Sequence, residues 1–433
     1  MESRYNYFVK REHDFVCLNG ISGKVFKIAD EEQQLLRSII SDEVLQKSYP
    51  SIVSKLYEDG FLIDNDVDEI SILKDAYMKD KQNPVYHLVI NPTLNCNFKC
   101  WYCYEKHPKE YMDSATLLKV ENLIHKKISS DDILGMHLSW FGGEPLMCFD
   151  NVVYPISLYT KRIAYDLGKK YSNSMTTNGY FLTEQVIKRC EEIDLRFLQI
   201  TIDGNEEIHD QVRNHNGKPT FRRILSNCIN FCSYSTQNKI LLRINYTNKN
   251  IGLNYNSLLN DIPNAIRNQI TVDFQRVWQT YEKESGTGNN RFVLQQNKDN
   301  IRQNNFKVVH NSFFTLRKGC VCYADRQNYL HINYNGYVYR CTAKDYNKEN
   351  ALGLLDVNGD VIWKNGPVES IDKKPFFENS KCLACHYLPI CGGPCFSRRK
   401  DYENQLNFCD LSKYDMSVEQ FVNDYYDRIC ERT

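Results

Sequence analysis

The sequence predicts a mixed α/β fold built on an open, partial TIM-type (β/α)6 barrel. A winged-helix-like domain precedes the barrel and a cysteine-rich domain follows it. Three observations predict this. From residue 83 to about 280, short apolar runs alternate with longer helical patterns, the signature of βα units and a parallel sheet. Residues 1–80 instead read as three short strands and then helices. Past residue 310, eight cysteines crowd into ninety residues, from Cys320 to Cys409. The expected division is 1–80, 83–310 and 311–433.

In the first segment, Tyr5–Val9, Asp14–Leu18 and Gly23–Ile28 alternate as strands around polar turns. Asp30 can cap a helix over Glu31–Ile40, and a second helix covers Pro50–Glu58 before Gly60 ends it. Phe61–Ile63 is expected to return as a short strand, the wing of a small winged-helix shape. The acidic stretch Asp64–Glu69 and the polar helix Ile72–Lys81 read as a linker.

The barrel strands are expected at Val85–Ile90, Gly135–Trp140, Tyr171–Met175, Phe197–Ile202, Ile240–Asn245 and Gln269–Phe274. Helices fall between them, among them Ser114–Lys127, Glu184–Ile193 and Phe221–Phe231. Chemistry in such barrels gathers at the carboxyl ends of the strands. The unusual stretches lie there. Cys96-Asn97-Phe98-Lys99-Cys100-Trp101-Tyr102-Cys103 follows strand one and Gly142-Gly143-Glu144-Pro145 follows strand two. Thr176-Thr177-Asn178-Gly179 follows strand three, and Asp203-Gly204 ends strand four.

Three soft thiolates at CxxxCxxC spacing suit zinc or iron–sulfur ligation. With only three, one position of a four-coordinate metal or a cubane cluster is left for substrate. A zinc knot with a distant fourth ligand is the alternative. Two glycines let backbone approach a ligand closely, and the adjacent carboxylate of Glu144 can accept from an ammonium group.

The cysteine loop, with an aromatic after its second cysteine, resembles the radical S-adenosylmethionine (radical SAM) superfamily, whose CxxxCΦxC loop holds a [4Fe–4S] cluster. There SAM chelates the fourth iron, and an electron from the cluster cleaves it to a 5′-deoxyadenosyl radical. The GGEP turn, about forty residues further on at the next strand end, matches a second motif of that family. The resemblance implies that Gly142, Gly143 and Glu144 hold the amino group of SAM and that Thr177 and Asn178 lie beside it. It makes Thr201 and Arg213 candidates for the carboxylate and ribose contacts. It also implies an electron donor such as flavodoxin or ferredoxin.

Cys320, Cys322, Cys341, Cys382, Cys385, Cys391, Cys395 and Cys409 supply eight thiolates, the count for two four-ligand sites of iron–sulfur or zinc. Their spacing resembles the SPASM extension of radical SAM enzymes, which carries two auxiliary [4Fe–4S] clusters and would bring the total to three. By position, Cys320, Cys341 and Cys395, with Cys322, correspond to the first auxiliary cluster. Cys382, Cys385, Cys391 and Cys409 correspond to the second. The Cys320–Cys322 pair is tighter than the pattern, so one of the two could be free. Asn335-Gly336 between Tyr329–Asn333 and Tyr337–Tyr339 is a hairpin signal. The six other cysteines, at 17, 148, 190, 228, 232 and 430, read as small buried apolar residues. His87, His107 and His209 read as core or supporting groups rather than ligands, and no catalytic acid or base stands out.

Composition bounds the setting. Lys plus Arg and Asp plus Glu both number 54, and zero net charge argues against nucleic-acid binding. No run of 18 apolar residues suggests a membrane span. Met1-Glu2-Ser3-Arg4-Tyr5 lacks the apolar core of a signal peptide, so a reducing cytoplasm is expected and the 17 cysteines read as metal ligands rather than disulfides.

The N-terminal module resembles the recognition domain of enzymes that mature ribosomally made peptides (RiPPs). It implies a precursor peptide whose leader adds a strand to a sheet edge. The leading expectation is therefore a radical SAM peptide maturase forming a thioether or carbon–carbon crosslink. One alternative is an anaerobic sulfatase maturase, which makes formylglycine. That family has an aspartate directly after the cysteine of its Gx4C motif; here Thr342 stands there and Asp345 is the nearest carboxylate. The other alternative is a non-catalytic electron carrier or peptide-binding protein.

Overall fold

The computed structural model describes residues 1–253, 255, 259–277, 279, 288–309, 316, 319, 322–366, 376–401, 409 and 417–430. The chain packs as two compact units. One comprises Met1–Gln82, His310–Arg326 and Asp372–Thr433; the other comprises Asn83–Val309 and Gln327–Ile371.

The second unit carries the barrel-like core. Its strands are β4 (Val85–Ile90), β5 (Gly135–Trp140), β6 (Lys170–Thr177), β7 (Leu195–Ile202), β8 (Lys239–Tyr246) and β9 (Ile270–Arg276), each parallel to the next. These are the six expected strands, with ends shifted by up to two residues. The sheet continues on both sides. A short β10 (Lys307–Val308) pairs beyond β9. On the other side β11 (Tyr329–Ile332) lies parallel to β4, and β12 (Tyr337–Tyr339), β13 (Gly353–Leu355) and β14 (Val361–Trp363) follow antiparallel. The Asn335-Gly336 turn joins β11 to β12 with Gly336 at φ +79°, as the hairpin signal required. Residues 311–433 therefore contribute to both units.

The sheet's two faces differ in chemistry. Leu88, Leu138, Leu198, Ile200, Ile202, Leu242, Ile244 and Val272 alternate onto one face and are buried. Each such side chain contributes about 1.5–3 kcal/mol. The helices complete this core. In α5 (Ser114–Ile128), Val120, Leu123, Ile124 and Ile128 are buried on one face, and the Asp113 side chain caps the first turn through the Thr116 amide at 2.7 Å. The opposite face of the sheet is polar. His87 Nε2, His137 Nε2 and Ser174 Oγ lie 2.9, 3.0 and 2.9 Å from Ser139 Oγ.

The first unit is built on an antiparallel sheet β1 (Asn6–Lys10), β2 (Asp14–Asn19), β3 (Val25–Ala29), in that order. One face packs on Leu36, Ile39 and Ile40 of α1 (Gln33–Ser41), with Leu56 and Phe61. The other face packs on Ile390 and on Val418, Phe421 and Val422 of the helix Val418–Cys430.

Three expectations are corrected. Phe61–Ile63 forms no returning strand; Leu62 makes a single antiparallel bridge to Glu2. The segment expected as a linker is packed structure. Asp68 caps the helix Glu69–Lys81, Glu69 accepts from Ser3 Oγ (2.5 Å) and the Arg4 amide (2.9 Å), and Leu73 and Tyr77 are buried beside Tyr5. Its polar face hid a narrow apolar stripe. Cys430 is exposed, whereas Cys17, Cys148, Cys190, Cys228 and Cys232 are buried as expected.

Candidate active site

The cysteine loop leaves β4 at Asn91 and is held in shape by its own backbone. The Asn95 amide donates to Thr93 Oγ1 (2.9 Å), the Cys103 amide to the Cys100 carbonyl (3.0 Å), and His107 Nδ1 lies 2.8 Å from the Leu94 carbonyl. Cys96 and Cys100 are partly buried and Cys103 is exposed. Burial pushes the Cys96 thiol up to about 12 and raises Cys100. Among the described residues no three His, Cys, Asp or Glu side chains converge at metal-holding spacing.

The GGEP turn is pressed against this loop. A Cβ on Gly143 (φ +50°) would stand 2.3 Å from the Asn95 carbonyl oxygen; one on Gly142 (φ +78°) would stand 2.5 Å from Asn91 Cγ. Both positions therefore require glycine. The Gly143 amide donates to Glu105 (2.6 Å) and the Glu144 amide to the Asn95 carbonyl (2.9 Å).

Glu144 has a structural task that its motif does not reveal. Its carboxylate is fully buried and accepts from Thr177 Oγ1 (2.6 Å), the Leu146 amide (3.0 Å) and the Asn178 amide (2.7 Å). Burial raises its pKa, and these hydrogen bonds oppose the rise. It thus straps the end of β6 to the turn after β5. Asn178 extends the strap, donating to Asn97 Oδ1 at 2.8 Å with Cys96 Sγ at 3.9 Å.

A second buried cluster joins the loop to β7 and β8. Tyr102 donates its hydroxyl proton to Asp203 and accepts from Arg213 Nη1 (2.8 Å) and Asn245 Nδ2 (3.1 Å). Burial raises both Tyr102 and Asp203, the latter against the pull of Arg213. His209, fully buried, accepts the Asp203 amide at Nδ1 (3.3 Å). Thr201 is buried near the end of β7, in register with Arg243 on β8. Four buried atoms here have no partner among the described residues: Asp203 Oδ1, Arg213 Nε, Arg243 Nε and Asn97 Nδ2.

Sequence reading singled out Arg213 and placed Tyr102 in the cysteine loop and Asp203 and Asn245 at strand ends, but it did not join them, and it missed Glu105. Burial pushes the Glu105 carboxyl up to about 7. The signal was position alone: Tyr102 and Glu105 flank the third cysteine, and Asp203 and Asn245 stand at strand ends.

Of the later cysteines, Cys320 lies outside the described residues. Cys341 follows β12 and accepts the Ala343 amide at 3.4 Å; the adjacent Thr342 offers only its carbonyl, to Tyr104 and to Tyr346 (3.1 Å). Cys382, whose thiol burial pushes up to about 12, has Cys391, Cys385 and Cys409 as its neighbouring charges. A buried Asp325–Arg399 ion pair ties the turn capped by Cys322 to the helical turn beginning after Cys395.

Residues 90–283 match the family model described as the radical SAM superfamily. An uncharacterised protein of Methanocaldococcus jannaschii is 31% identical over 168 residues, 38% of this chain and 54% of its own. A GTP 3′,8-cyclase of Campylobacter jejuni is 32% identical over 120 residues, 28% of this chain and 35% of its own. The chain thus spans about half of one curated relative and a third of the other. Among solved structures, anSMEcpe with bound AdoMet aligns at TM-score 0.59 and 17% identity, covering 80% of this chain and 94% of that one. Streptococcus suis SuiB bound to S-adenosylmethionine aligns at 0.51 and 16%, covering 96% and 99%. Residues 90–283 thus carry a radical SAM superfamily domain, and the fold of the chain is similar to those of anSMEcpe and SuiB.

The residues present fit SAM and the one iron–sulfur cluster that a radical SAM domain implies. Three thiols share one loop, and unpartnered Asp and Arg atoms lie buried at neighbouring strand ends, as a zwitterionic ligand needs.

Proposed function

We propose that this enzyme modifies a ribosomally made peptide, joining two of its side chains through a thioether or carbon–carbon bond. The observation that carries this reading is the extent of the likeness to SuiB. In the structure of SuiB bound to precursor peptide SuiA it covers 95% of this chain, the N-terminal module included. The anSMEcpe structures, one with a Cp18Cys peptide, cover 80%.

In this reading Cys96, Cys100 and Cys103 hold the SAM-binding cluster, which with SAM supplies a 5′-deoxyadenosyl radical to remove one hydrogen atom from the peptide. The chain's own groups do the rest. Gly142 and Gly143 keep the turn against the loop, Glu144 and Asn178 fix the Cys96 side, and the Tyr102–Asp203–Arg213 cluster fixes the Cys100–Cys103 side. Thr177, Thr201 and Arg213 line the place for SAM. Cys382, Cys385, Cys391 and Cys409 hold one auxiliary cluster, and Cys320, Cys322, Cys341 and Cys395 the other. Crosslinking removes two protons and two electrons from the peptide; one hydrogen atom leaves with the radical. The remaining proton goes to solvent, and an auxiliary cluster, held by these cysteines, would supply the acceptor for the remaining electron. A flavodoxin or ferredoxin supplies the initiating electron, and the N-terminal module binds the leader.

The anaerobic sulfatase maturase reading draws on the higher TM-score of anSMEcpe, and against it Thr342 stands where that family has aspartate. The test is anaerobic incubation of reconstituted enzyme with SAM, reductant and the short cysteine-containing peptide encoded nearest its gene, followed by mass spectrometry. Loss of two hydrogens supports crosslinking. Formylglycine in a sulfatase-derived peptide, with no change in the first, would replace the reading.

A further inference from the structure

Arg243 stands on the polar face of β8, where it alternates with the buried Leu242 and Ile244. Two residues further along the same face, Asn245 reaches Tyr102 of the cysteine loop at 3.1 Å. Arg243 therefore lies one pleat, about 7 Å, deeper in the barrel than that contact. Its neighbours in the parallel register are Thr201 on β7 and Asp273 on β9. Asp273 takes Gln275 Nε2 on its two oxygens, at 3.0 and 2.9 Å. Among the described residues Arg243 has no hydrogen-bond or ion-pair partner, and its Nε is buried.

A guanidinium withdrawn from water calls for an anion. SAM carries one carboxylate. Arg213, which donates to Tyr102 at 2.8 Å and so adjoins the cysteine loop, already stands beside the place for SAM. Arg243 is a second cation in the same barrel, and both hold down the pKa of the buried Asp203. The second arginine is left for a second carboxylate. Its rigid fork holds such a group through two parallel hydrogen bonds. In a peptide built of ordinary residues, carboxylates occur on Asp, on Glu and at the C-terminus. Barrel interiors are ordinarily filled by bulky branched side chains. On the polar face here, Ser139, Ser174 and Thr201 are small, which leaves room for a side chain from outside.

We propose that Arg243 clasps the side-chain carboxylate of an aspartate or glutamate of the peptide, so that the residue presented to the radical is acidic. The assignment rests on the peptide-enzyme reading and deepens it by naming the class of residue modified. No bond forms or breaks at the carboxylate; the hydrogen atom leaves from a carbon of the same residue.

The test uses reconstituted full-length enzyme with SAM, reductant and the short cysteine-containing peptide encoded nearest its gene. Tandem mass spectrometry locates the two-hydrogen loss, and calorimetry gives the SAM affinity. The loss is expected to involve an aspartate or glutamate. Changing that residue to Asn or Gln should lower kcat/KM about tenfold or more with the wild-type enzyme. Arg243→Gln should lower it as much with the native peptide and no further with the Asn or Gln peptide, as coupled partners do. SAM affinity should not fall with it, and amidating the peptide's C-terminus should change nothing. The peptide substitutions are made against wild-type enzyme, so they read the carboxylate even where Arg243→Gln fails to fold. The proposal is overturned by modification confined to residues without a carboxylate, by wild-type kinetics on the Asn or Gln peptide, or by wild-type kinetics of Arg243→Gln. A fall in SAM affinity as large as the fall in kcat/KM assigns Arg243 to SAM and overturns it too, as does loss of turnover on C-terminal amidation. In each of these cases the native peptide is modified and the peptide-enzyme reading stands. No modification of the native peptide removes that reading and the proposal with it.

Discussion

Replacing Glu144 by Gln tests whether the carboxylate is a strap rather than a free ligand. Thr177 Oγ1 and the Leu146 amide share Oε1, and the Asn178 amide takes Oε2. All are donors, so whichever way the Gln amide turns, its NH2 end faces a donor. With the NH2 toward Asn178, a buried N–H loses its acceptor, at about 1–3 kcal/mol, and two bonds to a charged acceptor become neutral ones. The total is about 3 kcal/mol, or roughly a hundredfold in the equilibrium for local opening. Hydrogen exchange read by mass spectrometry checks it. Peptides covering residues 145–149 and 176–180 should exchange about a hundredfold faster than in the wild type, while those from α5 stay unchanged. Wild-type exchange in both segments would refute the strap.

Further outcomes follow from the same geometry. Gly143→Ala should cost soluble yield and SAM binding, because its Cβ would sit 2.3 Å from the Asn95 carbonyl oxygen, with backbone on both sides; normal SAM affinity by calorimetry would contradict this. His209 and His331 are fully buried and held near about 3 by desolvation, against an ordinary 6.5. The unfolded chain takes up protons below 6.5 that the folded chain refuses, so stability falls with pH, by about 2 kcal/mol per histidine near pH 5. Urea midpoints that do not drop between about pH 7 and pH 5 would count against this burial. Cys382→Ala or Cys409→Ala should lower iron content and soluble yield, since metal binding and folding are coupled in such sites. Full iron content in both variants would remove them as ligands. Deleting residues 1–80 should likewise cost iron, because Tyr7, Val9, Val16 and Leu18 share a core with Ile390, Val418, Phe421 and Val422. Iron retained in full after truncation would contradict that shared core.

Local patterns made the frame legible. Six apolar runs gave the parallel strands because each strand buries alternate side chains under helices. The CxxxCxxC loop and the GGEP turn stood out because both sit at strand ends. What escaped was pairing across long separations. Tyr102 meets Asp203 and Arg213 about a hundred residues further along the chain, and no local rule links them. The joining of β11 to β4 has the same character. The helix Glu69–Lys81 looked like a linker because its buried contacts, Leu73 and Tyr77, are outnumbered by charges. Cys430 was misjudged because composition says nothing of which helix face meets solvent. The donors that hold the Glu144 carboxylate, Thr177 and Asn178, come from the next strand, so its local motif did not show them.

The most direct test of the central assignment is 5′-deoxyadenosine formation, measured anaerobically by liquid chromatography with SAM and dithionite. The wild type is expected to produce it, and the variant with Cys96, Cys100 and Cys103 all changed to Ala is expected to produce none. That variant should lose about four irons of roughly twelve, because three thiolates are the only protein ligands of the SAM-binding cluster in this account. Product from the triple variant at the wild-type rate would contradict it.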